Sequence, residues 1–63
     1  MTPFQRWIEA ERSAGRSDDE IADELGVTRQ AVYYWRMGER RPQSDQLLRI
    51  ANVTGIELEK LLA

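Results

Sequence analysis

Apolar residues recur along this chain at spacings of three and four, and no segment alternates with period two. An α-helix repeats every 3.6 residues, so each such stripe marks the inner face of a short helix. The stripes are Phe4-Trp7-Ile8, Ile21-Ala22-Leu25, Ala31-Val32-Trp35, Leu47-Leu48-Ile50-Ala51 and Leu58-Leu61-Leu62. Helix starts are marked as clearly. Thr2-Pro3-Phe4-Gln5 is a capping box with Pro in the first helical position, and Ser17-Asp18-Asp19-Glu20 is a second box. Thr28 is an N-cap, and Gln43 or Ser44 opens a fourth helix. Gly15, Gly26, Gly38 and Gly55 stand where helices end in left-handed backbone. The pattern predicts helices at about 3–14, 18–25, 28–37, 43 or 44–54 and 56–62, an all-α bundle of five short helices with no sheet.

The second and third helices follow each other with almost no connection. Two helices that cross through a tight turn need a small residue where their backbones approach, and Ala22 supplies it. The turn needs a residue tolerant of positive φ, and Gly26 supplies that. Val27, Val32 and Trp35 then seal the wedge. The spacing Ala22-x3-Gly26-x5-Val32-x2-Trp35 meets all three demands of a helix-turn-helix over about 18–37.

Composition narrows the chemistry. The chain has 63 residues, no Cys and no His. One domain spanning 1–63 is expected, burying about 60% of its unfolded surface. Disulfides, Cys/His zinc sites, thiol nucleophiles and histidine-based triads are excluded, so neither metal, cofactor nor enzymatic activity is expected. Asp/Glu, Tyr and Arg are present, but they converge on no identifiable catalytic constellation. No small-molecule ligand is evident. No apolar run approaches a membrane span and no signal-peptide core opens the chain, so a cytoplasmic protein is expected.

Net charge is −2, which at face value argues against nucleic acid. The charge is unevenly spread. Residues 18–28 carry five acids and no base, whereas residues 29–49 carry five Arg and two acids, net +3. The local field outweighs the total beyond a Debye length of about 8–10 Å.

Residues 17–36, SDDEIADELGVTRQAVYYWR, resemble the helix-turn-helix of the phage repressor and Cro family. Residues 37–62 are similar to that family's loop and closing helices, and the family pattern runs from Trp35 through Gly38, Pro42, Leu47, Ile50, Ala51, Leu61 and Leu62. The resemblance implies a lambda-repressor-like fold and a sequence-specific regulator binding operator DNA. The third helix would enter the major groove of double-stranded DNA, with Thr28, Arg29, Gln30, Tyr33 and Tyr34 facing base edges. Arg29 can pair with guanine O6/N7, and Gln30 with adenine N6/N7. Arg36, Arg40, Arg41, Gln43 and Ser44 would hold phosphates. A chain of 63 residues leaves no room for a separate oligomerisation or cleavage domain, so the expectation is a Cro-like repressor binding a palindromic operator as a homodimer. One departure stands out. Where the family often has a phosphate-touching Gln at the start of the first motif helix, this chain has Asp18. Either that end stands away from DNA, or its N–H groups bind while the carboxylate turns aside.

Plainer readings compete for several residues. Trp7 and Trp35 are expected in the core. The acids of the second helix suit a solvated, dipole-favoured helix start. The alternative function is a protein-interaction module, with that acidic helix docking a basic partner on a helix-turn-helix scaffold. Leu48, Val53, Ile56 and Leu62 fit either a fully used core or a dimer patch.

Overall fold

A computed structural model describes residues 1–62. Five helices follow in order: α1 Pro3–Ser13, α2 Asp18–Leu25, α3 Arg29–Met37, α4 Ser44–Thr54 and α5 Leu58–Leu61. No strand occurs among the described residues. The starts form as the sequence implies. The Thr2 hydroxyl accepts the Gln5 N–H at 3.1 Å, and the Gln5 side-chain oxygen Oε1 accepts the Thr2 N–H at 2.8 Å. Ser17 and Glu20 make the same reciprocal pair at 3.2 and 3.1 Å, and the Thr28 hydroxyl accepts the Ala31 N–H at 3.1 Å. At α4, Gln43 is the N-cap residue, and its N–H donates to the side chain of Gln46 at 2.9 Å.

α1, α2 and α3 end in one way. The N–H of Arg16, Val27 and Glu39 reaches back five residues to the carbonyls of Glu11, Ala22 and Tyr34. That bond closes a helix through a left-handed residue. At Gly26 the closure matters most, because it forms the turn of the helix-turn-helix with φ +71°. Any Cβ there would also stand 2.9 Å from Nε of Arg49, whose guanidinium donates to the Glu24 carbonyl at 3.4 Å. Gly26 thus serves both the turn and the seating of α4 on the end of α2.

The core gathers one stripe from each helix: Phe4 and Ile8, Ile21, Ala22 and Leu25, Val32 and Trp35, Leu47 and Ile50, and Leu61. Phe4 and Trp35 pack with ring centroids 5.5 Å apart. Trp35 is buried as expected, whereas Trp7 is half-buried, stacked on Phe4 at the core edge. Two expectations for the C-terminal half need correction. Leu48 is exposed, because it lies between the inward positions Leu47 and Ile50 on α4. The last helix is a single turn, not 56–62, and only Leu61 enters the core while Leu58 and Leu62 stay exposed. Val53 and Ile56 pack against the core, so the four residues weighed together divide into two core-edge and two surface positions.

Ion pairs tie α1 to α2. One Arg16 nitrogen contacts Glu11 at 2.5 Å and Glu24 at 2.6 Å. Glu20 titrates below the ordinary glutamate range, chiefly because the Ser17 N–H donates to it, then because the Ser17 hydroxyl does. A depressed folded pKa gives stability that is complete above the unfolded value of about 4.3 and lost as pH falls through the folded value. Glu20→Gln retains an acceptor for the box but cannot titrate. Its unfolding midpoint in denaturant is expected to fall less steeply than that of the parent chain between pH 5 and 3. An identical acid dependence would show that this capping box contributes nothing to it.

Candidate nucleic-acid interface

α3 buries Val32 and Trp35 and turns its opposite side outward. The 3.6-residue repeat therefore puts Arg29, Gln30 and Tyr33 on the exposed side; Thr28 is exposed as the N-cap residue that precedes the helix. Tyr34 is half-buried. Its hydroxyl accepts from Gln30 Nε2 at 3.4 Å, and its ring lies 4.3 Å beneath the Arg40 guanidinium. The two tyrosines, both expected to face base edges, thus differ. Tyr33 faces outward, and Tyr34 is a platform between α3 and the basic loop. They meet edge to face at 5.8 Å.

Two clefts flank the exposed ridge of α3. One is lined by Thr28, Gln30, Tyr34, Arg40, Arg41, Gln43 and Gln46. It joins the helix to the loop before α4, so side chains expected at bases and at phosphates share one concave surface. Ser44 is exposed in the first turn of α4, outside the residues lining this cleft. Gln46 joins the surface without having been singled out; its place three residues after Gln43 in the α4 box was the available signal. The other cleft is lined by Asp18, Thr28, Arg29, Gln30 and Tyr33.

That second cleft accounts for the departure at Asp18. Its carboxylate lies between two arginines: Arg36 is 3.6 Å away from Oδ2 and Arg12 Nε is 3.5 Å from Oδ1. Both Asp18 and Arg36 are largely withdrawn from solvent, with side chains 18% and 17% exposed. The Arg36 guanidinium also sits 5.4 Å from the centre of the Tyr33 ring. Arg36, expected to be free for phosphate, is engaged within the fold. Arg29 contrasts with it: it approaches Asp19 at 3.8 Å, but both side chains are 71% exposed. An exposed pair of this kind is worth about 0–1 kcal/mol, so Arg29 stays available.

α1 fixes the far end of α3. Gln5 Nε2 donates to the Arg36 carbonyl at 3.3 Å while Gln5 Oε1 completes the Thr2 box. α3 is thus held at its start by its own cap and at its end by another helix.

A short α2, a glycine turn and an α3 with a polar outward face, supported by α1 and α4, define a helix-turn-helix protein. The family described as Helix-turn-helix matches residues 9–61, and the chain belongs to it. It is 43% identical over 42 residues to an uncharacterized HTH-type transcriptional regulator of Haemophilus influenzae, covering 67% of this chain and 18% of that protein. It is 31% identical over 58 residues to the SPbeta prophage-derived uncharacterized HTH-type transcriptional regulator YonR of Bacillus subtilis, covering 92% of this chain and 54% of that protein. The chain therefore spans about half of one relative and under a fifth of the other. No solved structure matches it at a significant level. No helix among the described residues is long and apolar enough to cross a membrane.

Proposed function

We propose that this chain is a sequence-specific DNA-binding transcriptional regulator, a Cro-like repressor that binds a palindromic operator as a dimer. The observation that carries the reading is the outward face of α3. Thr28, Arg29, Gln30 and Tyr33 are exposed together, and Arg29 is held only by a loose surface pair. α3 enters the major groove with its first turn at the base edges. Arg29 reads guanine and Gln30 reads adenine, while the Thr28 methyl and the Tyr33 ring take apolar contacts such as a thymine methyl. Arg40 and Arg41 hold phosphate across the adjoining cleft, with Gln43, Ser44 and the N–H groups of α4 beside them. The similarity to regulators in Haemophilus influenzae and Bacillus subtilis supports this reading, and the cytoplasm is the expected compartment.

Two copies suit the size of the module, since a single one buries only about 600–1,000 Å² on DNA. Leu48 on α4 and Leu58 and Leu62 at α5 are exposed and offer apolar area for a second copy. Sedimentation of the complex on a selected operator is expected to give two protomers per site, and one per site would refute the dimer. Arg40→Ala or Arg41→Ala is expected to weaken binding to all sequences alike. Each should flatten the log–log salt dependence of the two-protomer complex by about 1.8, about 0.9 from each protomer. Loss confined to one sequence would instead make that arginine a base reader.

A further inference from the structure

Asp18 and Asp19 open α2 side by side, and each faces an arginine of α3, but the two pairs differ in kind. Asp19 and Arg29 form a loose pair in solvent. Asp18 and Arg36 are mostly covered, and the side-chain atoms Asp18 Oδ1 and Arg36 Nε are buried without a hydrogen-bond partner in the chain. Arg12 adds a second positive charge to the same carboxylate. Above Arg36 lies the ring of Tyr33, which lines the cleft beside Arg29 and Gln30, with Asp18 in the same wall.

We propose that Asp18 is a positioning residue for DNA reading, one that keeps Arg36 beneath Tyr33 and so withholds an arginine from the phosphates while bracing a base-facing ring. This rests on the DNA-binding reading above and assigns Arg36 a role other than direct phosphate contact. The physical basis is competition for one guanidinium. A covered carboxylate at 3.6 Å and an aromatic face at 5.4 Å hold Arg36 in the free protein. Loss of the carboxylate charge leaves the cation with the DNA backbone as its strongest available anion. Sequence-independent attraction then grows, and Tyr33 loses the group beneath it. Asp18 thereby trades affinity for discrimination.

The test compares the parent chain with D18N, D18E and D18N/R36A on a selected duplex and a random duplex over a salt series. D18N is close to isosteric and remains at the first position of α2. It is expected to bind the random duplex more tightly and to steepen the log–log salt slope by about 0.9 for each bound protomer, the effect of one further phosphate contact apiece. Its selected-to-random affinity ratio is expected to fall. D18E, which restores the charge, should return toward the parent slope, and removing Arg36 from D18N should cancel the added slope. An unchanged slope in D18N, or an added slope that survives in D18N/R36A, overturns the proposal. A merely structural role would lower the unfolding midpoint without moving the slope. In the free protein, the Arg36 Nη2 protons, which face Asp18, are expected to exchange slowly in the parent chain and faster in D18N; equal rates overturn the pairing independently of DNA. A parent chain that binds neither duplex refutes the DNA reading itself, and this role falls with it. Binding by the parent with D18N unaltered refutes this role alone.

Discussion

Alanine at both Arg29 and Gln30 is expected to abolish discrimination between an operator and random DNA while leaving the fold intact. Both side chains are exposed and outside the core, so stability should change by no more than about 0.5 kcal/mol. A good bidentate pair with a base supplies roughly 1–3 kcal/mol of discrimination. Losing two therefore removes at least about 2 kcal/mol, roughly thirtyfold in relative affinity. Gln30 also donates to the Tyr34 hydroxyl, and Tyr34 supports Arg40, so the single substitutions need not add. Competition between operator and random duplex, with circular dichroism on the free variant, checks both halves. Retained discrimination would mean that the first turn of α3 does not read bases. A protein-interaction module docking through α2 would instead show no discrimination in the parent chain and none lost in the variant.

Trp35→Ala is expected to have the largest effect on folding. Trp35 is buried in the core against Phe4 and lies in the same helix as the proposed reading face. Removing a buried Trp costs about 3–5 kcal/mol. A domain of this length holds about 3–9 kcal/mol in total. The variant is thus expected to be largely unfolded, or nearly so, with loss of helical circular dichroism and of DNA binding together. A variant with a denaturation midpoint near that of the parent would show that Phe4 and Val32 close the core without the indole.

Most of the architecture was legible because local chemistry marked it. The two capping boxes, the Thr28 cap and the glycine closures each depend on residues within five positions of one another, so sequence and structure agree closely at α1, α2 and α3. The helix-turn-helix likewise was legible in spacing, since the turn at Gly26 and the wedge of Ala22, Val32 and Trp35 meet its packing demands. The C-terminal half was less legible. Leu48, Leu58 and Leu62 are apolar residues at helical spacing, and periodicity alone does not reveal that the core is already filled by Leu47, Ile50 and Leu61.

The interface divides along the same line. Exposure at Arg29, Gln30 and Tyr33 follows from one helical repeat, and that of Thr28 from its N-cap position. The states of Arg36 and Asp18 do not, because they depend on how α1 and α2 lie against the end of α3, contacts that span up to 18 positions. Tyr33 and Tyr34 are neighbours in sequence with different surroundings for the same reason: one meets Arg36 and the other meets Arg40 of the following loop. The acidic total likewise resolves into particular partners, as Glu11 and Glu24 engage Arg16 and Asp18 engages Arg12 and Arg36.

Selection of the parent chain on a pool of random duplexes, followed by salt titration on the winning sequence, tests the central claim most directly. The expected outcome is one enriched inverted repeat with half-sites about 10 base pairs apart. Its affinity should fall with salt at a log–log slope of about −3.6 or steeper, for Arg40 and Arg41 on each of two protomers. A pool that yields no enriched sequence, or binding indifferent to salt, would contradict the assignment of α3 and its basic loop as a reader of DNA.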